Sequence, residues 1–348
     1  MRKADSMEIP LILRRLGCAF AATLLCPTLV VADPVADFYR DKNISLYVGF
    51  PPGGGYDLYA RVFAPHFTRH IPGNPLIVVK NMPGGVGVRA AGFISTATPQ
   101  DGTSLGLFLD ATTLAKALGG PGDFKPDTLT WIGRIVPTTT VSVAWHTSPA
   151  QSVEEAKSKE IVIGASVAAS SSSFIPLALN DLVGTKFKVV RGYQGSASEA
   201  LAMERGEVHA IGGISWDVVQ ASKRDWIAEN KIKILYVHGT RRAKELPDHP
   251  TIVEFATSEK SRKILALLGS GPDIGRAIAA EPRIPPARAA ALRRAFMATM
   301  TDPAFVEEMQ RRNLGIDALS GEDVQKLVES VVATPQELID QAKGYLQP

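Results

Sequence analysis

The feature that most constrains the fold is a repeated pattern in which an apolar run passes through a glycine-rich turn into a helical segment. The first copy is 44–50 (ISLYVGF) followed by PPGGGYD at 51–57, and the second is 76–80 (LIVVK) followed by NMPGGVG at 81–87. Short runs of β-branched and aromatic residues predict strands, and a third strand is predicted at 103–109. Because strands alternate with helices, the pattern predicts an α/β fold with parallel strands.

A second series of predicted strands begins after an extended stretch at 131–146 (WIGRIVPTTTVSVAWH). Its apolar runs are bounded by turn-forming residues, as in the strands of an α/β layer: 161–165, 187–191, 208–211 and 232–238. Helical patterns with good start signals fill the C-terminal part of the chain: 287–300, 303–312, 321–333 and 335–346.

The two series predict two α/β lobes, each with a mixed, mostly parallel sheet flanked by helices. Two crossing segments, near residues 141 and 240, are expected to join the lobes. The first lobe is predicted to comprise 33–140 and 241–348, and the second 141–240. We expect the C-terminal helices to pack back onto the first lobe.

Residues 1–32 have the pattern of a cleavable signal peptide. An apolar stretch at 16–31 follows two arginines and contains no charged residue, and Val30 and Ala32 offer the small side chains that signal peptidase requires. A membrane anchor is the alternative, but the stretch is shorter than the ~20 residues that span a bilayer. We therefore predict cleavage after Ala32 and a mature protein in the periplasm.

Composition argues against several functional classes. The formal net charge is only +3, and no basic run is interleaved with aromatic residues, which argues against nucleic-acid binding. Both cysteines lie in the predicted signal peptide, so no disulfide, thiolate metal site or cysteine nucleophile is expected. His66 and His70 are four residues apart, and we interpret them as part of a solvated helix face. Phosphate-loop and nucleophile-elbow motifs are absent, and we predict no catalytic residue, metal or cofactor.

The glycine-rich turns at 51–57 and 81–87 have the chemistry of an anion site. Glycine lets backbone N–H groups approach an anion without a Cβ atom in the way, and the following helix adds unpaired donors and partial positive charge. Either turn alone is more simply explained as a tight strand-to-helix connection. Because both follow neighbouring parallel strands, we expect them at one sheet edge, where α/β folds bind ligands.

Several stretches together resemble the substrate-binding receptors of tripartite tricarboxylate transporters, also called the Bug family. The resemblance covers about 38–346 and includes ISLYVGFPPGGGYDLYAR, IVVKNMPGGVGVRAAGF, TPQDGTSLGLF, KVVRGYQGSASEALAMERGEV and RRAKELPDHPTIVEF. It implies a type II periplasmic-binding-protein fold, in which two lobes close on a ligand. The segment 271–285 (GPDIGRAIAAEPRIP) is more basic and less aromatic than is usual in the family, which leaves the identity of the ligand open.

In this family a carboxylate lies against backbone amides of the first two glycine loops. The resemblance therefore implies that the first lobe supplies these ligand-binding residues: Phe50, Gly53, Gly54, Gly55, Tyr56, Asp57, Gly84, Gly85, Val86, Gly87 and Asp110. Asp110 follows the third predicted strand, where helix capping explains it equally well.

The second lobe is expected to contact the far end of the ligand. Its candidate residues are: Ser166, Ser170, Ser171, Ser172, Tyr193, Gly195, Ser196, Trp216 and Asp217. The serines fit a solvated, flexible loop equally well, and Trp216 fits either the core or a flat wall for an aromatic ligand. Arg89 and Arg191 could pair with a carboxylate, but we interpret both as surface or structural arginines.

The predicted function is a monomeric receptor that binds a di- or tricarboxylate, or an aromatic carboxylate, and delivers it to the membrane subunits of a tripartite tricarboxylate transporter. Two alternatives stay open. One is a carboxylate-sensing protein that signals to a membrane sensor kinase. The other is a small-molecule enzyme on the same fold, which would need a nucleophile, metal or cofactor in the cleft.

Overall fold

A computed structural model describes most of the chain. The described residues are 33–53, 55–84, 87–108, 111–120, 122–168 and 170–347. The predicted signal peptide lies outside them, as do four predicted ligand-binding residues: Gly54, Gly85, Val86 and Asp110. No helix among the described residues combines the length and apolar character needed to cross a membrane.

The strands of the described residues form two sheets. Their bounds are β1 Asn43–Val48, β2 Leu76–Asn81, β3 Ser104–Leu107, β4 Thr130–Arg134, β5 Thr140–Trp145, β6 Ile161–Gly164, β7 Phe187–Val190, β8 Ala210–Ser215, β9 Ile232–Val237, β10 Ala277–Ala280 and β11 Leu319–Ser320. The first sheet has the order β11-β4-β10-β3-β1-β2, and the second has the order β7-β6-β8-β5-β9.

Both sheets combine parallel and antiparallel pairs. In the first sheet β1 is parallel to β2 and β3, and β10 enters antiparallel between β3 and β4. In the second sheet β6 is parallel to β7 and β8, and β5 is antiparallel to β8 and β9. With helices packed on each sheet, this architecture confirms the predicted fold class.

The helices occupy the segments between the strands and most of the C-terminal part. Their bounds are α1 Pro34–Tyr39, α2 Gly55–His70, α3 Val88–Thr96, α4 Ala111–Ala117, α5 Val153–Ala156, α6 Ser171–Val183, α7 Ser196–Glu204, α8 Trp216–Ser222, α9 Arg224–Ala228, α10 Glu259–Leu268, α11 Ser270–Ile274, α12 Pro286–Thr301, α13 Pro303–Arg311, α14 Gly321–Val332 and α15 Gln336–Gly344.

The C-terminal helices divide between the two sheets. α12 and α13 pack on α2 through an aromatic cluster in which the ring of Phe63 lies 5.7 Å from that of Phe296 and 6.2 Å from that of Phe305. α14 contacts β4, so these three helices return to the first sheet as expected. α15 differs from the expectation: it packs on α10, and its Leu338 and Ile339 join the apolar core around the second sheet. Apolar spacing predicts that a helix has a buried face but not which sheet covers it.

The chain from Pro34 onward forms one compact unit, and the predicted lobe boundaries stay a prediction. The crossing from β4 to β5 is held by backbone hydrogen bonds to the segment before β10. Ile135 N–H donates to Arg276 O over 3.0 Å, Arg276 N–H donates to Val136 O over 2.9 Å, and Thr138 N–H donates to Pro272 O over 3.1 Å. The residues just before β10 are thereby fixed beside the passage between the sheets.

Candidate ligand-binding site

The two glycine loops lie side by side at one edge of the first sheet. Val48, the last residue of β1, pairs with Asn81 at the end of β2 and with Leu107 at the end of β3. A Cβ atom on Gly49 would lie only 2.9 Å from the Cα atom of Gly87, so the two backbones touch and only glycine fits. The expectation that both loops share a sheet edge is confirmed. We call the described residues of 49–57 and 82–87 the glycine edge.

Asp57 ties the first glycine loop to α2. Its Oδ2 accepts hydrogen bonds from Gly53 N–H and Arg61 Nε, both over 2.9 Å, and its Oδ1 accepts one from Asn81 Nδ2 over 2.8 Å. The hydrogen bond from Arg61 is the main reason that the pKa of Asp57 is lowered to about 2. Gly53 has φ +87°, a left-handed conformation that favours glycine. Because both carboxylate oxygens are engaged, we interpret Asp57 as a residue that positions the loop.

Aromatic rings line the same edge. Phe50 and Tyr56 stack with their centroids 4.5 Å apart, and Tyr56 is buried. Asn81 Nδ2 also donates to Phe50 O over 3.0 Å, which joins the two loops a second time. Gly84 lies under the side chain of Arg89, whose Cδ would be 3.2 Å from a Cβ atom at that position. The two glycine loops are therefore held together at this edge of the first sheet, with aromatic rings beside them.

Arg276 is the residue that sequence reasoning missed. It immediately precedes β10, whose Ile278 pairs with Leu107 at the end of β3, so the antiparallel direction of β10 brings Arg276 to the glycine edge. Its side chain is 9% exposed, and its Nη2 would lie 3.3 Å from a Cβ atom on Gly55. The sequence indicates this role only weakly: Arg276 directly precedes a short apolar run in the basic segment 271–285.

The serine-rich loop lies at the corresponding edge of the second sheet. Ser170 caps α6: its Oγ accepts a hydrogen bond from Ser172 N–H over 3.2 Å and contacts Ser172 Oγ at 2.8 Å. Ser166 N–H donates to Ser172 Oγ over 3.2 Å, and Ser172 is buried. Ser171 opens α6 and is partly exposed. The described serines Ser166, Ser170 and Ser172 therefore form one hydrogen-bond network.

A second loop of the second sheet adjoins this network. Gly195, with φ +105°, precedes α7, which begins at Ser196, and the ring of Tyr193 would lie 3.4 Å from a Cβ atom on Gly164. In the first turn of α7, Glu199 is 1% exposed and hydrogen bonds to Ser172. Burial raises the pKa of Glu199 to about 7. We call the described residues of 166–172 and 192–199 the serine edge.

Trp216 and Asp217 begin α8, at the same end of the second sheet. Trp216 is 8% exposed and belongs to an apolar cluster with Val141 and Trp226, which favours its interpretation as a core residue. Asp217 is exposed, and its Oδ1 accepts a hydrogen bond from Val218 N–H over 2.9 Å. Its Oδ2 lies 3.4 Å from Arg276 Nη2. This ion pair connects the edges of the two sheets.

Other polar residues have structural partners. Arg191 Nε donates to Ser173 Oγ over 2.8 Å, beside the serine edge. His66 and His70 do not form a solvated helix face: the Nε2 of His66 lies 2.8 Å from Glu308 and that of His70 lies 2.9 Å from Asp302, because α13 packs on α2. Within the described residues no cluster of His, Cys, Asp and Glu could hold a metal ion.

Comparisons with known proteins agree with this architecture. Residues 60–343 match the model of a family described as "tripartite tricarboxylate transporter family receptor". A curated UPF0065 protein of Bordetella pertussis is 27% identical over 301 residues, which cover 84% of this chain and 87% of the relative.

Solved structures show the same fold. A TctC solute-binding protein from Polaromonas is 24% identical, with a TM-score of 0.67 over 87% of this chain and 99% of its own. A Rhodopseudomonas palustris protein with adipate is 20% identical, with a TM-score of 0.59 over 87% and 97% of the two chains. MatC from the same organism, with bound malate, is 21% identical, with a TM-score of 0.55 over 88% and 99%.

Proposed function

Because the chain belongs to the tripartite tricarboxylate transporter family of receptors, we propose that it is an extracytoplasmic receptor that binds a small carboxylate between its two lobes. It then delivers this carboxylate to the membrane subunits of a tripartite tricarboxylate transporter. One observation carries the proposal: two glycine loops touch at a sheet edge that also holds a helix N-terminus and a buried arginine. That combination supplies backbone N–H donors and positive charge to an anion.

The chemistry of the two edges supports binding of a carboxylate rather than its transformation. In the proposal, the amides of Gly54, Gly55 and Tyr56 bind the carboxylate together with those of Gly84, Gly85 and Val86, and Phe50 lies beside them. The N–H groups of Gly53 and Gly87 shape the two loops instead, because they donate to Asp57 Oδ2 and to Gly84 O. Asp57 positions the first loop through Gly53. Hydroxyl groups of the serine edge, with Tyr193 and Ser196, bind the far end. The adipate and malate held by two structural neighbours are small dicarboxylates, which supports this ligand class.

Binding in the proposal closes the two lobes by a hinge motion about the segments that cross between the sheets. The closed form docks on the transporter as a monomer. Export through the predicted signal peptide, residues 1–32, places the receptor in the periplasm. Neither nucleic acid nor a cofactor takes part.

A thermal-shift screen of the purified protein tests the proposal. The panel comprises adipate, L-malate, citrate and benzoate, with adipamide as the uncharged control for adipate. A ligand that binds only the folded state stabilises it by about 2.7 kcal/mol at a concentration one hundred times its Kd. We expect one class of carboxylate to raise the melting temperature and adipamide to leave it unchanged. A panel in which no acid has an effect, or in which adipamide acts as adipate does, contradicts the proposal.

Delivery needs a separate test in cells. A strain that lacks this receptor should lose uptake of the radiolabelled acid identified by the screen, and the full-length gene should restore it. Uptake at the wild-type rate in the deletion strain would contradict delivery while leaving the binding proposal intact.

A further inference from the structure

The contact between Arg276 and Asp217 points to a specific mode of recognition. Resting on the proposed receptor function, we propose that Arg276 binds the carboxylate of the ligand directly and that Asp217 is a resident counter-ion, which the ligand displaces. The unliganded protein then holds its own carboxylate where that of the ligand binds. The ion pair also joins the two lobes until the ligand takes over that contact.

The two partners differ greatly in burial. The Arg276 side chain is 9% exposed, whereas that of Asp217 is 61% exposed. A buried cation without a close anion is costly, but an exposed carboxylate returns to water at little cost. Their contact of 3.4 Å is longer than the 2.7–2.9 Å typical of a charge-assisted hydrogen bond. The cation therefore needs a better anion than Asp217, and Asp217 is easily released.

The surroundings of Arg276 leave its donors for an anion. The guanidinium lies over the rings of Tyr59 and Tyr56, 4.6 Å and 5.2 Å from their centroids, which engages its faces. Its N–H donors lie in the plane of the group and can form a bidentate pair with a carboxylate. Within the described residues, the buried Nε has no hydrogen-bond partner.

The first turn of α2 completes the arrangement. Arg276 Nη2 would lie 3.3 Å from a Cβ atom on Gly55, the first residue of this helix, so the guanidinium and the helix N-terminus face the same space. A carboxylate there receives charge-assisted hydrogen bonds from the arginine and interacts favourably with the helix dipole. Any larger residue at position 55 would crowd the guanidinium.

Charge balance favours displacement of Asp217 over simultaneous binding. Arg276 and Asp217 together are neutral, so a carboxylate that joined them would leave an uncompensated negative charge in a partly buried site. The balance is restored when Asp217 leaves. It is also restored when the ligand carries an ammonium group that pairs with Asp217, and the experiment below separates these two cases.

L-malate and L-aspartate form a suitable pair of probes, because they differ only in a hydroxyl and an ammonium group, and adipate adds a longer dicarboxylate. Isothermal titration calorimetry compares the wild type with Arg276→Gln, Arg276→Lys, Asp217→Asn and the double variant. For the carboxylate that the wild type binds, we expect Arg276→Gln to weaken affinity about 100-fold and Arg276→Lys to weaken it less. Asp217→Asn should tighten it about 10-fold in the wild-type background and have no effect in the Arg276→Gln background.

Arg242→Gln is the matched control. Arg242 also pairs with one carboxylate, that of Glu254, but it is exposed and takes no part in the ion pair between Arg276 and Asp217. Its affinity should equal that of the wild type. Unfolding curves establish that each variant is folded. A folded Arg276→Gln variant with wild-type affinity overturns the proposal that Arg276 binds the ligand, but it leaves the proposed receptor function intact. Weaker binding of L-aspartate by Asp217→Asn overturns displacement and indicates an ammonium site. A wild type that binds none of these three probes, and neither citrate nor benzoate, refutes the proposed receptor function together with the role of Arg276.

Discussion

The edge of the first sheet is built from glycine-rich loops, whereas the edge of the second sheet is built from loops rich in serine. At the glycine edge, contact between Gly49 and Gly87 and the hydrogen bonds of Asp57 hold the loops in one arrangement. At the serine edge, Ser166, Ser170 and Ser172 hydrogen bond mainly to one another. Amides bind any carboxylate in the same way, but hydroxyls can donate or accept. We infer that the first edge selects for charge and the second for the shape and polarity of the rest of the ligand.

Among the described residues, one buried glutamic acid adjoins each sheet, Glu281 the first and Glu199 the second. Because the two are alike in burial, they allow the two sheets to be compared by experiment. Glu281 follows β10, at the end opposite Arg276, and its Oε1 accepts a hydrogen bond from Ser104 N–H over 2.8 Å. Glu199 contacts Ser172 at the serine edge. Burial is the main cause that raises the pKa of each carboxyl group to about 7.

The largest expected effect is on the pH dependence of stability. A raised pKa means that the folded state binds the proton more tightly than the unfolded state, whose pKa is near 4.5. The stabilisation is complete below pH 4.5 and is lost as the pH rises through about 7. Because glutamine does not titrate, Glu281→Gln and Glu199→Gln should each reduce the fall in the free energy of unfolding over this pH range by up to about 3 kcal/mol. Urea unfolding across this pH range measures the change.

Only one of these variants should affect the ligand. Because Glu199 lies against the serine edge, Glu199→Gln should change how carboxylate affinity varies with pH, whereas Glu281→Gln should leave that profile as in the wild type. Equal profiles for both variants would show that the buried acid of the second lobe is not connected to the site.

The next largest effect concerns the glycine edge. Asp57→Ala removes the carboxylate that accepts hydrogen bonds from Gly53 and Arg61. Folding lowers the pKa of Asp57 from 3.8 to about 2. The ionised carboxylate therefore stabilises the fold above pH 3.8, and this stabilisation is lost as the pH falls through about 2. We expect a loss of about 2 kcal/mol of stability at neutral pH. Calorimetry should also show weaker binding of every carboxylate by a similar factor.

Asp37→Ala is the control for this prediction. The side chains of Asp37 and Arg40 pair on the surface and are both exposed, so the loss of Asp37 should cost at most about 0.5 kcal/mol and leave affinity unchanged. If Asp57→Ala changed the order of affinities for different carboxylates rather than weakening all of them, the inference that the first edge selects only for charge would be wrong.

The strands could be predicted from the sequence because their apolar runs are local, and β1, β2, β6, β7 and β9 lie within a few residues of the predicted bounds. The glycine loops could be predicted because two neighbouring parallel strands necessarily end at the same edge. Arg276 could not be predicted, since it lies far along the chain from Gly55 and reaches the site only because β10 inserts between β3 and β4. The surroundings of His66 could not be predicted either, because its partner Glu308 belongs to α13, which is far along the chain from α2.

The smallest expected effect distinguishes the serine edge from ordinary helix capping. Ser170 caps α6 at the proposed site, and Ser152 caps α5, which lies before β6 at the opposite end of the second sheet. Replacing either serine by alanine should cost about 1 kcal/mol, because each removes one side-chain acceptor from a helix N-terminus. Urea unfolding should therefore not distinguish the two variants. Calorimetry should, since Ser170 also orders Ser172: Ser170→Ala should alter the relative affinities for L-malate and adipate, and Ser152→Ala should not. Equal relative affinities in the two variants would assign the serine network to folding alone and leave selectivity to Tyr193 and Ser196.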